Sequence, residues 1–138
     1  MTTAEQIMHT GVETIPGDAP LTVAARKMRD LGIGALPVCA SDGFPIGMIT
    51  DRDIIVKCIA EGGDPARTSA GTLAGGRLIT VDGHTRITDV LAIMENHRIR
   101  RLPVIEGNRL VGIITEADLA RGLPEQKIGE FVEAVCAP

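Results

Sequence analysis

The hydrophobic pattern of this chain switches between a helical and a strand period, and it does so twice. Leu21, Ala24, Ala25, Met28 and Leu31 recur on one helix face. Pro20 suits the first turn of that helix and Gly32 its stop. Short apolar runs at 35–39 and 46–49, separated by turn residues 40–43, predict a β-hairpin, and Thr50 caps a helix over about 51–60. Upstream, Thr3-Ala4-Glu5-Gln6 has the form of a capping box, opening a short helix to about Met8. Residues 12–15 read as a strand closed by Pro16-Gly17-Asp18.

The order then recurs. Residues 79–81 predict a strand, Asp82-Gly83 a turn, and Thr85 the cap of a helix with Ile87, Val90, Leu91 and Met94 on one face. Residues 102–105 and 110–114 predict the second hairpin, and 116–121 the helix after it. Pro124 opens a final amphipathic helix with Ile128, Phe131, Val132 and Val135 as its apolar stripe. Such a stripe folds back on its own domain or covers a second protomer. Between the halves, Glu61-Gly62-Gly63-Asp64-Pro65 breaks the pattern, and the small residues of 68–76 read as a linker with one weak helical turn at 71–73.

The repetition extends to identities. At an offset of 66 positions, Gly17/Gly83, Thr22/Thr88, Met28/Met94, Ile33/Ile99, Leu36/Leu102, Pro37/Pro103 and Val38/Val104 match. One extra residue in the first hairpin reduces the offset to 65, at which Gly47/Gly112, Ile49/Ile114, Thr50/Thr115 and Asp53/Asp118 match. Each repeat reads β-α-β-β-α and is too small to bury its sheet alone. The expected fold is therefore α/β (α+β), two tandem repeats packed face to face about an internal pseudo-two-fold, with clefts between them. The expected boundaries are 7–62 for the first repeat, 63–76 for the linker, 77–123 for the second repeat and 124–138 for the C-terminal helix.

Composition narrows the function. With 138 residues, 44% hydrophobic and 23% charged, the chain fits one compact globular domain or two very small ones sharing a core. No apolar run approaches a membrane span and Met1-Thr2-Thr3-Ala4-Glu5 lacks a basic leader, so a soluble cytoplasmic protein is expected. A net charge of −4, two Phe, no Trp and no Tyr argue against nucleic acid as a partner, since neither phosphate neutralisation nor base stacking is provided for. Cys39, Cys58 and Cys136 form no C-x-x-C pair and read as reduced, buried or half-buried thiols. His9, His84 and His97 are scattered, so a zinc site, for instance from His97 and a cysteine, would have to be assembled by the fold, and no metal is expected. No nucleophile–base pair or Gly-rich phosphate loop is visible, so no enzyme is expected.

The chemistry sits in Gly47-Met48-Ile49-Thr50-Asp51-Arg52-Asp53 and its copy Gly112-Ile113-Ile114-Thr115-Glu116-Ala117-Asp118. Thr-x-x-Asp before a helix is a capping box. Its recurrence after a buried Gly-x-Ile strand also points to a polar ligand. The two roles coexist, because a carboxylate has several lone-pair sites. Asp51 and Glu116 read as favourable helix N-terminal charge. Arg98, Arg100 and Arg101 are the main asymmetry. On a strand, Arg98 and Arg100 would face one way and Arg101 the other, as a solvated basic edge or as a phosphate clamp.

Ile33-Gly34-Ala35-Leu36-Pro37-Val38 and Ile99-Arg100-Arg101-Leu102-Pro103-Val104, each followed by Gly-x-Ile-Thr-x-x-Asp, resemble the cystathionine β-synthase (CBS) domain pair, or Bateman module, over about 7–123. The resemblance implies a non-enzymatic module binding AMP, ADP, ATP, S-adenosylmethionine or NAD between its repeats. By position, one cleft would join Thr50 and Asp53 to Val81, Ile99, Arg100, Arg101 and Pro103. The other would join Thr115 and Asp118 to Ile15, Ile33, Gly34, Ala35 and Pro37. With Arg100 and Arg101 opposite, the Thr50/Asp53 cleft is expected to prefer a phosphorylated adenosine. A stand-alone sensor acting as a homodimer, read by a separate effector protein, is the leading expectation. A ligand-free dimeric scaffold or stress-response interaction protein is the alternative.

Overall fold

The computed structural model describes residues 2–75 and 78–136. Gly76 and Arg77, at the expected linker–repeat boundary, and Ala137 and Pro138, at the end of the expected C-terminal helix, lie outside the described residues. The elements are α1 (Ala4–Ile7), β1 (Ile15–Pro16), α2 (Leu21–Leu31), β2 (Ala35–Cys39), β3 (Pro45–Thr50), α3 (Asp51–Asp53), α4 (Ala70–Leu73), β4 (Val81–Asp82), α5 (Ile87–His97), β5 (Arg101–Glu106), β6 (Arg109–Thr115), α6 (Glu116–Gly122) and α7 (Glu125–Cys136). They form a mixed α/β protein of two compact units, one within 13–78 and the other within 1–12 and 79–138.

Each unit carries a three-stranded sheet of the same construction. β1 runs parallel to β2, which pairs antiparallel with β3, and β4, β5 and β6 repeat the arrangement. The register shifts at Val38/Cys39 and again at the equivalent Val104/Ile105. Ile15, Leu21, Ala24, Leu36, Val38 and Ile49 are fully buried in one core, and Val90, Met94, Leu102, Val104 and Ile114 in the other. Met28 and Met94, at equivalent helical positions, are both core residues. The apolar stripe of α7 joins the second core through Phe131 and Val135, while Val132 faces outward.

α2 ends on Gly32, whose φ of 66° is the left-handed geometry that lets its N–H meet the last carbonyls of the helix. α5 ends in the same way on Arg98, a non-glycine residue at φ 53°. Arg98 is therefore a helix stop and does not share a strand face with Arg100, as the pattern had suggested; β5 begins only at Arg101. After Thr50 the expected helix over 51–60 is present but widens. α3 passes into a π-helical segment, Ile54–Ile59, after which the Ala60 N–H reaches back five residues to the Ile55 carbonyl at 2.8 Å. Ile54 and Cys58 turn inward there, leaving Ile55, Val56 and Ile59 exposed.

The segment read as a linker is part of the fold. In the first unit, the N–H groups of Ala70 and Gly71 donate to the carbonyls of Ala19 and Gly17, and the Leu21 N–H to Thr68 O. In the other unit Ala4 and Glu5 donate to Thr85 and Gly83, and Ile87 to Thr2 O. These contacts are equivalent at the 66-residue offset, so 2–9 and 68–75 are the same element. Each leading segment packs with the unit built mainly from the other repeat. Thr85 consequently does not cap α5 with its side chain. The N-cap is Arg86, and the orphan Ile87 N–H is satisfied by the arriving backbone of Thr2.

The glycines of the repeated motif make room for these segments. A Cβ on Gly47 would strike the Ala74 carbonyl oxygen and come within 2.9 Å of Ala74 Cβ, and one on Gly112 would meet Met8 and lie 2.9 Å from His9 O. Gly47→Ala is expected to cost about 1–2 kcal/mol, because a backbone carbonyl cannot rotate aside as a side chain can. Urea unfolding checks this; an unchanged midpoint would show that 68–75 yields freely.

Candidate functional site: two strand–helix junctions

Thr50 closes β3 in extended geometry (φ −118°, ψ 161°) and opens α3. Its hydroxyl accepts the Asp53 N–H at 3.0 Å, and Asp53 Oδ2 accepts the Thr50 N–H at 3.0 Å, a reciprocal cap. Lys57 Nζ, one turn on, stands 3.3 Å from Asp53 Oδ1. The Asp53 side chain retains 22% of its exposure, so this carboxylate still has lone pairs open to solvent.

Thr115 repeats the junction between β6 and α6, with different surroundings. Asp118 Oδ2 accepts the Thr115 N–H at 2.8 Å and its hydroxyl at 3.0 Å. The same oxygen accepts His9 Nδ1 at 2.8 Å, and Arg121 Nη2 donates to Oδ1 at 2.6 Å. The Asp118 side chain is only 3% exposed. Burial alone would raise its pKa, but the hydrogen bonds from His9 and Thr115 outweigh it and hold the carboxyl below its ordinary value. Gln6, Ile7, Met8, His9, Asp118, Arg121 and Gly122 line a cavity of about 330 Å³ beside it.

The sequence pattern assigns neither His9 nor Arg121 to this junction. Arg121 was legible as an i,i+3 partner of Asp118 on one helix face. His9 was not, since 109 positions separate it from the aspartate. Its position follows from the leading segment, which pairs His9 with Ile113 of β6.

Within each unit the other expected residues lie as follows. Ala35 faces Thr50 across the β2–β3 hairpin, and the Gly34 carbonyl accepts the Asp51 N–H at 3.0 Å. Ile15 and Pro37 are buried in that sheet, whereas Ile33 is exposed. In the other unit Arg101 faces Thr115 across the hairpin, Val81 and Pro103 are buried, and Ile99 is half-buried. Arg100 is committed locally, its Nε 3.3 Å from Glu116 Oε1 and its Nη2 3.1 Å from Cys136 Sγ. That leaves Arg101 as the more available guanidinium of the expected clamp.

Cys39 and Cys58 are buried free thiols and Cys136 an exposed one. Burial pushes the Cys39 thiol upward in pKa, so it is an unreactive position. Among the described residues, the ligand atoms of Glu5, His84 and Glu106 lie within 4.8 Å of one another. No helix among these residues is long and apolar enough to cross a membrane.

The CBS domain family model matches residues 4–59 and 73–125. Hypoxic response protein 1 of Mycobacterium tuberculosis is 50% identical over 138 residues, covering 100% of this chain and 96% of that one. The CBS domain-containing protein YhcV of Bacillus subtilis is 34% identical over 87% of this chain and 84% of its own. Among solved structures, Hypoxic Response Protein I with two coordinated zinc ions superimposes with a TM-score of 0.82 at 50% identity, covering 89% of this chain and 100% of the other.

Proposed function

This chain belongs to the CBS-domain family as a tandem pair, and from that premise we propose that it is a non-catalytic sensor that binds an adenosine-containing ligand. The observation that carries the reading is the duplicated Thr–Asp cap, present with its hydroxyl and carboxylate intact at both strand–helix junctions. A carboxylate beside a threonine hydroxyl suits vicinal ribose hydroxyls.

The two copies are not equal partners. Asp118 already accepts from His9, Arg121 and Thr115, whereas among the described residues Asp53 holds its cap and a lysine. Thr50 and Asp53, with Arg101 supplying charge, are the proposed nucleotide site, joined by Val81, Ile99 and Pro103. Thr115 and Asp118, with Ile15, Ile33, Gly34, Ala35 and Pro37, form the weaker one. The exposed Ile55, Val56 and Ile59 supply an apolar face through which a homodimer or effector would read the ligand state.

Calorimetric titration of AMP, ADP, ATP, S-adenosylmethionine and NADH tests this. Asp53→Asn and Arg101→Ala are expected to weaken one nucleotide by about tenfold each, roughly 1.4 kcal/mol, while Asp118→Asn leaves that site in place. Failure of every ligand to bind below about millimolar, roughly 4 kcal/mol of binding, would leave the scaffold alternative. Equal loss from all three variants would reject the asymmetry. Sedimentation of the ligand-free and ligand-loaded protein tests the dimer.

The two zinc ions in the structure of Hypoxic Response Protein I favour a second reading, in which the regulatory signal is a metal. The expectation that no metal binds finds no support there.

A further inference from the structure

Apart from the two caps, three side chains of one unit turn their ligand atoms toward a common point. A carboxylate oxygen of Glu5, a ring nitrogen of His84 and a carboxylate oxygen of Glu106 all lie within 4.8 Å of one another. They come from three elements: α1, the turn after β4, and the end of β5. The backbone sets the approach. The Glu5 N–H donates to Gly83 O at 2.9 Å, and a Cβ on Gly83 would lie 3.3 Å from Glu5 Cβ. The His84 N–H is in turn held by Asp82 Oδ1 at 2.8 Å.

His84 Nδ1 stands 3.6 Å from Glu5 Oε1, too far for a direct hydrogen bond. Two N/O ligands on a tetrahedral metal at ~2.0–2.1 Å stand about 3.3 Å apart, so a small side-chain adjustment brings this pair onto a shared ion. Two carboxylates drawn this close also repel, which a divalent cation relieves.

The duplicated fold supplies an internal control. At the 66-residue offset the equivalent positions are Gly71, Asp18 and Ala40. The same backbone junction forms there, with the Gly71 N–H donating to Gly17 O at 2.8 Å. The junction therefore does not require a carboxylate–imidazole–carboxylate set, and only one unit carries it.

We infer that Glu5, His84 and Glu106 form a binding site for a divalent transition metal of the zinc class, separate from the Thr–Asp caps. One imidazole and two carboxylates match the ligand preferences of such an ion and leave a position for water. Because Glu5 lies on the leading segment and the other two on the sheet it joins, a bound ion would clamp α1 in place and stabilise the unit.

The test is titration of the full chain, reduced and nucleotide-free, with Zn2+ alone, read by calorimetry and by the metal-induced rise in Tm. His84→Gln and Glu106→Gln are each expected to weaken one zinc equivalent by about tenfold or more, with the metal-free Tm and circular dichroism unchanged. His97→Gln should leave that equivalent intact. Co2+ at the site is expected to show d–d bands without thiolate charge transfer. Zinc affinity unaltered in both glutamine variants would overturn the assignment, as would absence of zinc binding or a thiolate band abolished by Cys136→Ser. These outcomes do not depend on whether any nucleotide binds.

Discussion

Phe131→Ala is expected to cost the second unit about 3–5 kcal/mol. The ring is 1% exposed, within the cluster that includes Val90, Leu91, Met94, Leu119 and Val135. The chain has only two aromatic residues, and the other, Phe44, is 38% exposed. Phe131 is thus the one large aromatic volume in either core, and its loss leaves a void between α7 and the elements beneath it. Val132→Ala, next along the helix on its exposed side, is expected to change stability by less than about 0.5 kcal/mol. Urea unfolding of the two variants checks the contrast. A Phe131→Ala cost below about 1 kcal/mol would show that α7 is not part of the unit's cooperative core.

Asp118→Asn is expected to destabilise the protein by about 2–3 kcal/mol at pH 7, through loss of charge-assisted hydrogen bonds at a buried site. An amide can still accept the Thr115 N–H, but it presents a donor where Arg121 or His9 also donates. The figure stays below that for a fully buried pair because His9 and Arg121 are 47% and 70% exposed and regain water when released. The pH dependence has a definite sign. The folded carboxyl pKa lies below its ordinary 3.8, so the unfolded chain binds more protons in the interval between the folded and unfolded values. The stabilisation is full above about pH 4–5 and is lost as pH falls through the folded value. The gap between wild type and Asp118→Asn should therefore narrow on acidification. Stability curves between pH 7 and pH 2 measure it, and a gap that widened would contradict the assignment.

The same contacts bear on ligand binding. A carboxylate with His9 and Arg121 in place is a finished structural joint, and a ligand at Thr115 would have to share or displace them. Asp53 carries no such obligation, because at the 66-residue offset from His9 the chain has Gly75, and at the 65-residue offset from Arg121 it has Val56. The two copies of one motif thus differ through their neighbours, one of which arrives from far along the chain.

Much of this architecture was readable from local pattern. The periodicity of 21–31 ends at a glycine that must adopt the left-handed conformation, and it gave the bounds of α2. The Leu-Pro-Val strands and their hairpins were placed within a residue or so, because alternation and turn chemistry are local properties. The Thr–Asp caps were legible for the same reason, since donor and acceptor are three residues apart. Arg98 reads as a strand residue by pattern but ends a helix, because its positive φ is uncommon for an arginine and has no sequence signature. Thr85 has the form of a cap but does not act as one, because the group that satisfies the Ile87 N–H is Thr2 O, from far along the chain.

Local pattern alone therefore establishes the repeat, its hairpins and main helices, the family and the two polar junctions. These rest on short-range periodicity, caps and duplicated identities. Tertiary structure decided which leading segment completes which unit, and through that which aspartate is engaged and which remains open. It also gathered Glu5, His84 and Glu106 into one place. Such outcomes depend on backbone hydrogen bonds and close approaches between residues tens of positions apart, to which neither helical nor strand periodicity is sensitive.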